Sequence, residues 1–138
     1  MSNLEIILFP CLSDNYGFLI HDPISGQTAT IDTPDAAEIS KQAKARGWTI
    51  TDIWNTHWHP DHTGGNATLK AEYGLTITGP DKIAGRIPGL DHGVGQGDAL
   101  TIGNHTVDVI ATPGHTDEHI IFHIADAQAP VVGDTIFT

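Results

Sequence analysis

Three histidines and an aspartate lie within the six-residue segment His57-Trp58-His59-Pro60-Asp61-His62. Imidazole nitrogens and carboxylate oxygens together suit Zn²⁺, and they also accept iron, manganese or nickel. His57 and His59 are two positions apart, so in an extended backbone both rings point to the same side. Asp61 and His62 are adjacent and diverge, which lets them serve a second, neighbouring ion. The spacing therefore predicts a metal site and argues against unrelated surface histidines.

The segments on either side of this motif have opposite patterns. Residues Ile50–Asn55 form an apolar and β-branched run, which indicates a buried strand. After the motif, a helical spacing predicts a helix over 64–73 that ends at Gly74, and its spaced positions are Ala67, Leu69, Ala71 and Tyr73. Gly64 and Gly65 leave room for close backbone approach at the start of this helix. The motif is therefore predicted where a strand ends and a helix begins, the usual place for ligands in α/β folds.

The motif has the form His-x-His-x-Asp-His and resembles the signature of the metallo-β-lactamase superfamily. Within that superfamily the chain is similar to glyoxalase II, the hydroxyacylglutathione hydrolases. Further segments carry this resemblance along the whole chain: Leu12-Ser13-Asp14-Asn15-Tyr16, Ile31-Asp32, Thr112-Pro113-Gly114-His115-Thr116 and Gly133-Asp134-Thr135.

The resemblance implies a ligand set for two metal ions, with zinc expected and iron or manganese as alternatives. It assigns His57, His59 and His115 to one ion. It assigns Asp61 and His62 to a second ion, and it assigns Asp134 as the carboxylate that bridges both. Asp32 matches an aspartate of the family that follows a strand. We interpret Asp32 as support for a histidine ligand from outside the metal's own ligand shell, and a cap for the following helix is the alternative.

The same resemblance implies hydrolysis of a glutathione thioester, converting S-lactoylglutathione to lactate and glutathione. A metal-activated hydroxide, oriented by Asp61, attacks the thioester carbonyl. The leaving thiolate departs without a strong general acid, and no such acid is evident in the sequence. The alternatives are a lactonase or persulfide dioxygenase of the same fold, or a catalytically silent metal-binding half-domain.

Composition excludes several other function classes. The net charge is −11 with only six Lys plus Arg, whereas a nucleic-acid binder needs a cationic stripe. No apolar run reaches the roughly eighteen residues of a membrane span. The start of the chain lacks the features of a signal peptide. The single cysteine, Cys11, excludes an internal disulfide, so we expect a cytoplasmic protein.

The rest of the sequence predicts a mixture of strands and two helices, typical of an α/β architecture. Residues 16–31 and 98–111 each predict a hairpin, the second around Gly103-Asn104. Thr33 is predicted as the N-cap of the first helix, with Pro34 at its first position. Residues 79–97 predict a long loop rich in Gly and Pro. The histidines that lack a motif are interpreted as structural or exposed: His21, His92, His105 and His123.

The resemblance implies the first half of an αββα sandwich, a mixed sheet with helices on one face. On this interpretation residues 1–138 are one incomplete domain that ends before the C-terminal half of the fold and the glutathione-binding helical domain. A second sheet is expected only in the missing half. The uncovered sheet face would then be exposed, so we expect self-association through it.

Overall fold

The computed structural model describes residues 4–11, 15–56, 63–81, 85, 87, 89–103, 105–111, 120–124 and 131–132. The first sheet has the order β1-β2-β3-β4-β5-β6, formed by Glu5–Cys11, Asn15–His21, Thr28–Ile31, Asp52–Trp54, Thr76–Pro80 and His92–Val94. The second has the order β10-β9-β8-β7, in which β7 is Ala99–Ile102, β8 is His105–Ala111, β9 is Ile120–Ile124 and β10 is Val131–Val132. Helix α1 is Ala36–Ala45 and helix α2 is Asn66–Tyr73.

The first sheet is mixed. Strands β1, β2 and β3 pair antiparallel, whereas β3, β4, β5 and β6 pair parallel. Parallel neighbours need a crossover, and α1 and α2 provide it between β3 and β4 and between β4 and β5. The carboxyl ends of β3 and β4 therefore meet at one edge of the sheet, and the motif follows β4 in the sequence.

Side chains of the first sheet alternate between two apolar cores. Leu19 and Ile53 belong to the core that contains Ile39 of α1 and Leu69 of α2. Their neighbours Ile20 and Trp54 belong to the other core, which contains Val107, Val109 and Phe122 of the second sheet. The rings of Trp54 and Phe122 lie 5.4 Å apart between centroids. Helices thus cover one face of the first sheet, and the second sheet covers the other.

This arrangement confirms the mixed sheet with helices on one face and corrects the expected exposed face. Ile20, Ile31 and Trp54 are 0%, 1% and 2% exposed because the four-stranded sheet packs on them. The second sheet, expected only in the missing half of the fold, is already formed within this chain. The physical reason for self-association through that face therefore does not apply to the described strands.

Two local expectations also need correction. Helix α1 begins after Asp35, whose carboxylate accepts a hydrogen bond from Glu38 N–H at 3.2 Å, so Thr33 is not its N-cap. The predicted loop 79–97 contains strand β6, which pairs parallel with β5.

Both hairpins are confirmed, and Ile102 pairs with His105 across the second turn. Neither α1 nor α2 has the length and hydropathy that crossing a bilayer requires.

Candidate metal centre

The described part of the chain includes some of the residues predicted to form the site, but not all of them. Asp32 and the residues that flank the motif lie within the described part of the chain. The others lie outside the described residues: His57, His59, Asp61, His62, His115 and Asp134. Among the described residues, no three His, Cys, Asp or Glu side chains form a group that could hold a metal. The geometry that can be described is therefore that of the strands and turns on either side of the segments with predicted ligands.

Asp32 holds the residue that precedes the motif. It follows β3, is 4% exposed and has a φ of 61°. This left-handed region is one that Asp and Asn tolerate better than most other residues with a side chain. Its Oδ1 accepts from Thr56 N–H at 2.7 Å, and its Oδ2 accepts from Thr56 Oγ1 at 2.7 Å. Two short bonds to a carboxylate therefore fix Thr56, directly before His57.

The alternative role for Asp32, a cap for the following helix, is excluded because Asp35 caps α1. The backbone of Asp32 is also fixed, since its N–H donates to Trp54 O at 2.9 Å. Its carbonyl accepts from Thr30 Oγ1 at 3.0 Å. The support of a histidine ligand by Asp32 remains a prediction, and the described contacts show it acting on the strand end beside His57.

A second set of buried polar contacts joins the residues on either side of the motif. Asn66, the first residue of α2, donates from Nδ2 to Asn55 Oδ1 at 2.8 Å. Asn55 Nδ2 donates to Asn66 Oδ1 at 3.4 Å and to Asp32 Oδ1 at 3.4 Å. Thr33 Oγ1 donates to Asn66 Oδ1 at 2.7 Å. These bonds are continuous with those from Thr56 to Asp32 and from Gly65 to Thr33. The members of this hydrogen-bonded network are Asp32, Thr33, Asn55, Thr56, Gly65 and Asn66.

Gly65 brings the backbone before α2 against the turn after β3. Its N–H donates to Thr33 O at 2.9 Å and to Thr33 Oγ1 at 3.1 Å. A Cβ at this position would lie 3.0 Å from both Thr33 Cβ and Thr33 O, and 3.1 Å from Ala36 Cβ. Glycine is therefore required here for close packing, as the sequence predicted, and not for an unusual φ.

The segment that contains the predicted ligand His115 is flanked by residues close to Thr56. Residues Ala111 and Ile120 pair at the ends of β8 and β9, on either side of the segment that contains His115. Ile120 N–H donates to Thr56 O at 2.9 Å. The residue before His57 is thus bonded directly to the residue that follows segment 112–119. The structure thus brings together the described residues that flank segments 57–62 and 112–119, as convergent ligands would need.

Strand β10 runs toward the same end of the second sheet. Val131 pairs antiparallel with His123, and Val132 pairs with Phe122. The strand direction therefore leads from His123 toward Ile120, and Asp134 follows Val132 by two positions in the sequence. The carboxyl end of β10 therefore points toward the end of the second sheet at which Ile120 meets Thr56.

Two of the histidines without a motif, His21 and His92, have described side chains on the first sheet. His21 Nδ1 lies 2.8 Å from Thr28 Oγ1, and its ring stacks on Trp48 with centroids 4.4 Å apart. This contact confirms a structural role for His21. His92 is exposed on strand β6, as expected.

Three buried polar residues beside the motif were not predicted to position it: Thr33, Asn55 and Asn66. All three side chains are fully buried, with 0% exposure. A signal was present: Asn55 is a polar residue at the end of an apolar strand, and Asn66 lies where a helix starts. Buried amides of this kind need hydrogen-bonding partners. Only the folded structure shows that Asn55 and Asn66 are hydrogen-bonding partners of each other.

Comparison with known proteins places these segments in a family. The model of the metallo-beta-lactamase superfamily matches residues 25–138. Hydroxyacylglutathione hydrolase from Erythrobacter litoralis (strain HTCC2594) is 56% identical over 134 residues, which is 97% of this chain and 53% of the relative. The protein of the same name from Hyphomonas neptunium (strain ATCC 15444) is 53% identical over 97% of this chain and 52% of the relative. The chain spans about half the length of the curated relatives it matches.

Solved structures share the arrangement of strands and helices. A metallo-beta-lactamase from Staphylococcus aureus subsp. aureus COL superposes with a TM-score of 0.77 at 27% identity, over 93% of this chain and 41% of that one. ETHE1 from Myxococcus xanthus superposes with a TM-score of 0.74 at 28% identity, over 89% of this chain and 54% of that one. The two-sheet architecture described above is therefore that of these structures over the matched half.

Proposed function

This chain belongs to the metallo-beta-lactamase superfamily, and from that premise we propose that it forms the metal-binding part of a hydroxyacylglutathione hydrolase. The proposed reaction is hydrolysis of a glutathione thioester, S-lactoylglutathione, to lactate and glutathione. Relatives that carry this enzyme name match 97% of the chain at 53% to 56% identity, which supports the proposal. We place the reaction in the cytoplasm, because a thioester of glutathione belongs to the reducing compartment that the single cysteine suggests.

The observation that carries this proposal is the hydrogen bond from Ile120 N–H to Thr56 O, 2.9 Å long. It joins the backbone directly before His57 to the strand directly after segment 112–119. Ligands from two loops can share one ion only if the loops start close together. This bond brings the two segments together. Because it joins two backbone groups, the fold sets this distance and side-chain rotamers do not.

The proposed ligands are those of the sequence motif. His57, His59 and His115 would hold one ion, Asp61 and His62 a second, and Asp134 would lie between them. This set of imidazoles and carboxylates fits divalent zinc, and iron or manganese are the alternatives. Such ions, when bound, lower the pKa of water and polarise a carbonyl group.

The chain's own residues contribute orientation. Asp61 would accept a hydrogen bond from the attacking water and so orient it. The carboxylate of Asp32 fixes Thr56 through bonds of 2.7 Å to its N–H and hydroxyl, so the backbone that leads to His57 is held in one conformation. A thiolate leaves without a strong proton donor, so hydrolysis of a thioester does not need a further general acid from this half of the fold.

The test is metal content and turnover of S-lactoylglutathione, measured together on three proteins. The wild type is compared with His59→Ala and with His92→Ala, whose exposed histidine on β6 is the matched control. We expect the wild type and His92→Ala to bind zinc equally, and His59→Ala to lose metal and any thioester hydrolysis.

Other outcomes select the alternatives. Metal binding without turnover in the wild type indicates a silent metal-binding half-domain. A single iron per chain favours a persulfide dioxygenase. Unchanged metal content in His59→Ala would show that the ligand assignment is wrong.

A further inference from the structure

We propose that the buried amide pair Asn55–Asn66 is a positioning element that closes the base of segment 57–62 and presets it for metal binding. This inference rests on the proposed function, since it requires that the segment binds a metal. It concerns residues that are not ligands and that act through the backbone on either side of the motif.

The pair spans the motif. Asn55 lies two residues before His57, and Asn66 is the first residue of α2, eleven positions from Asn55. The two amides contact each other in both directions, at 2.8 Å from Asn66 to Asn55 and 3.4 Å in return. Both side chains are 0% exposed, so water does not compete for these bonds. The end of β4 and the start of α2 are therefore held at a fixed separation.

Thr33 determines which way the Asn66 amide points. Gly65 N–H donates to Thr33 Oγ1 at 3.1 Å, so that side of the hydroxyl acts as an acceptor. The hydroxyl proton is then directed to Asn66 Oδ1, 2.7 Å away. With its oxygen committed to Thr33, Asn66 must present its NH₂ group to Asn55 Oδ1. One arrangement of the pair is therefore specified from outside the motif.

The physical benefit lies in the entropy of the loop. Bringing several ligands of one chain segment to an ion costs conformational entropy at the moment of binding. When the residues on either side of the segment are already joined, part of that ordering takes place on folding, and binding is correspondingly tighter. An apolar pair of the same volume would fill the space, but apolar contact is not directional and would not fix the separation.

The experiment compares zinc affinity in variants that disturb the pair to different extents. Thr33→Val keeps the volume and removes the hydroxyl, Thr33→Ser restores it, and Asn66→Ala removes one amide. Ser40→Ala is the matched control, because it deletes a buried hydroxyl that bonds Tyr73 OH at 2.8 Å between the two helices, away from the motif. Zinc affinity is measured by competition with a chromophoric chelator, and ligand geometry by the visible spectrum of the Co²⁺-loaded protein.

We expect zinc to bind roughly tenfold more weakly to Thr33→Val and Asn66→Ala, the lower end of the range for residues that support metal ligands. Their Co²⁺ spectra should change, Thr33→Ser should resemble the wild type, and Ser40→Ala should keep its zinc affinity. Unchanged affinity and spectra in folded Thr33→Val would overturn the inference and leave the proposed function intact. Absence of zinc binding in the wild type would overturn both. If Asn66→Ala does not fold, the two Thr33 variants decide the question.

Discussion

Substitution of Asp32 tests how strongly the turn after β3 anchors the motif. Alanine removes both acceptors from Thr56, whose N–H and hydroxyl are each bonded at 2.7 Å and whose side chain is 0% exposed. Losing the partner of a buried polar group costs about 1–3 kcal/mol per group. Alanine must also adopt the φ of 61°, which costs roughly 1–2 kcal/mol more in the left-handed region. We therefore expect Asp32→Ala to lower the free energy of unfolding by about 4 kcal/mol.

Two further substitutions separate these contributions. Glycine also removes both acceptors but tolerates the positive φ, so Asp32→Gly should be less destabilised than Asp32→Ala by about 1 kcal/mol. Asparagine keeps one carbonyl acceptor and tolerates the same backbone conformation. It loses the charge of the carboxylate, and its cost should be about 1–2 kcal/mol. The expected order of stability is Asp, Asn, Gly, Ala.

The assay is urea unfolding followed by tryptophan fluorescence, with Asp81→Ala as an exposed control that should change stability by less than about 0.5 kcal/mol. The reasoning about the carboxylate is refuted if Asp32→Ala costs less than about 1 kcal/mol. Equal stability of the Gly and Ala variants would refute the reasoning about φ.

Two other predictions concern packing and pH. Gly65→Ala should lose about 1–3 kcal/mol, because its Cβ would lie 3.0 Å from Thr33 Cβ and O. Gly85→Ala, where nothing lies within 4 Å, should be neutral, and equal urea midpoints for both variants would contradict this. Asp91 accepts a hydrogen bond from Ile77 N–H, and this bond holds the pKa of the Asp91 carboxyl group below its usual range. The ionised carboxylate therefore stabilises the fold above the unfolded-state pKa, and this stabilisation is lost as the pH falls through the folded-state pKa. The urea midpoints of wild type and Asp91→Asn should therefore converge below about pH 4, and parallel curves would exclude the effect.

Local patterns in the sequence were sufficient where neighbouring residues determine the structure. The turn at Gly103 was predicted from its dipeptide, and the structure has φ of 59° there, between strands that pair from Ile102 to His105. Gly74 ends α2 with φ of 65°, as its position after the helical pattern indicated. These features depend on the conformational freedom of single residues, which the sequence states directly.

Features that depend on distant partners were not predictable in this way. Thr33 has the chemistry of an N-cap, but its hydroxyl is used by Asn66 and Gly65, which lie more than thirty positions away in the sequence. Asp35 therefore caps α1. Strand β6 has little β propensity of its own and forms because β5 offers a free parallel edge. The second sheet was missed for a similar reason, since alternation within a strand does not tell which layer the strand joins.

The described residues that flank the motif adjoin the core between the two sheets. Trp54 of β4 packs on Phe122 of β9, with ring centroids 5.4 Å apart. Thr56 follows Trp54 by two positions and Ile120 precedes Phe122 by two, and the Ile120 N–H donates to Thr56 O at 2.9 Å. The aromatic contact between the sheets and this backbone bond therefore lie close together along the chain. The apolar packing of the two sheets thus places the described residues that flank segments 57–62 and 112–119 beside each other.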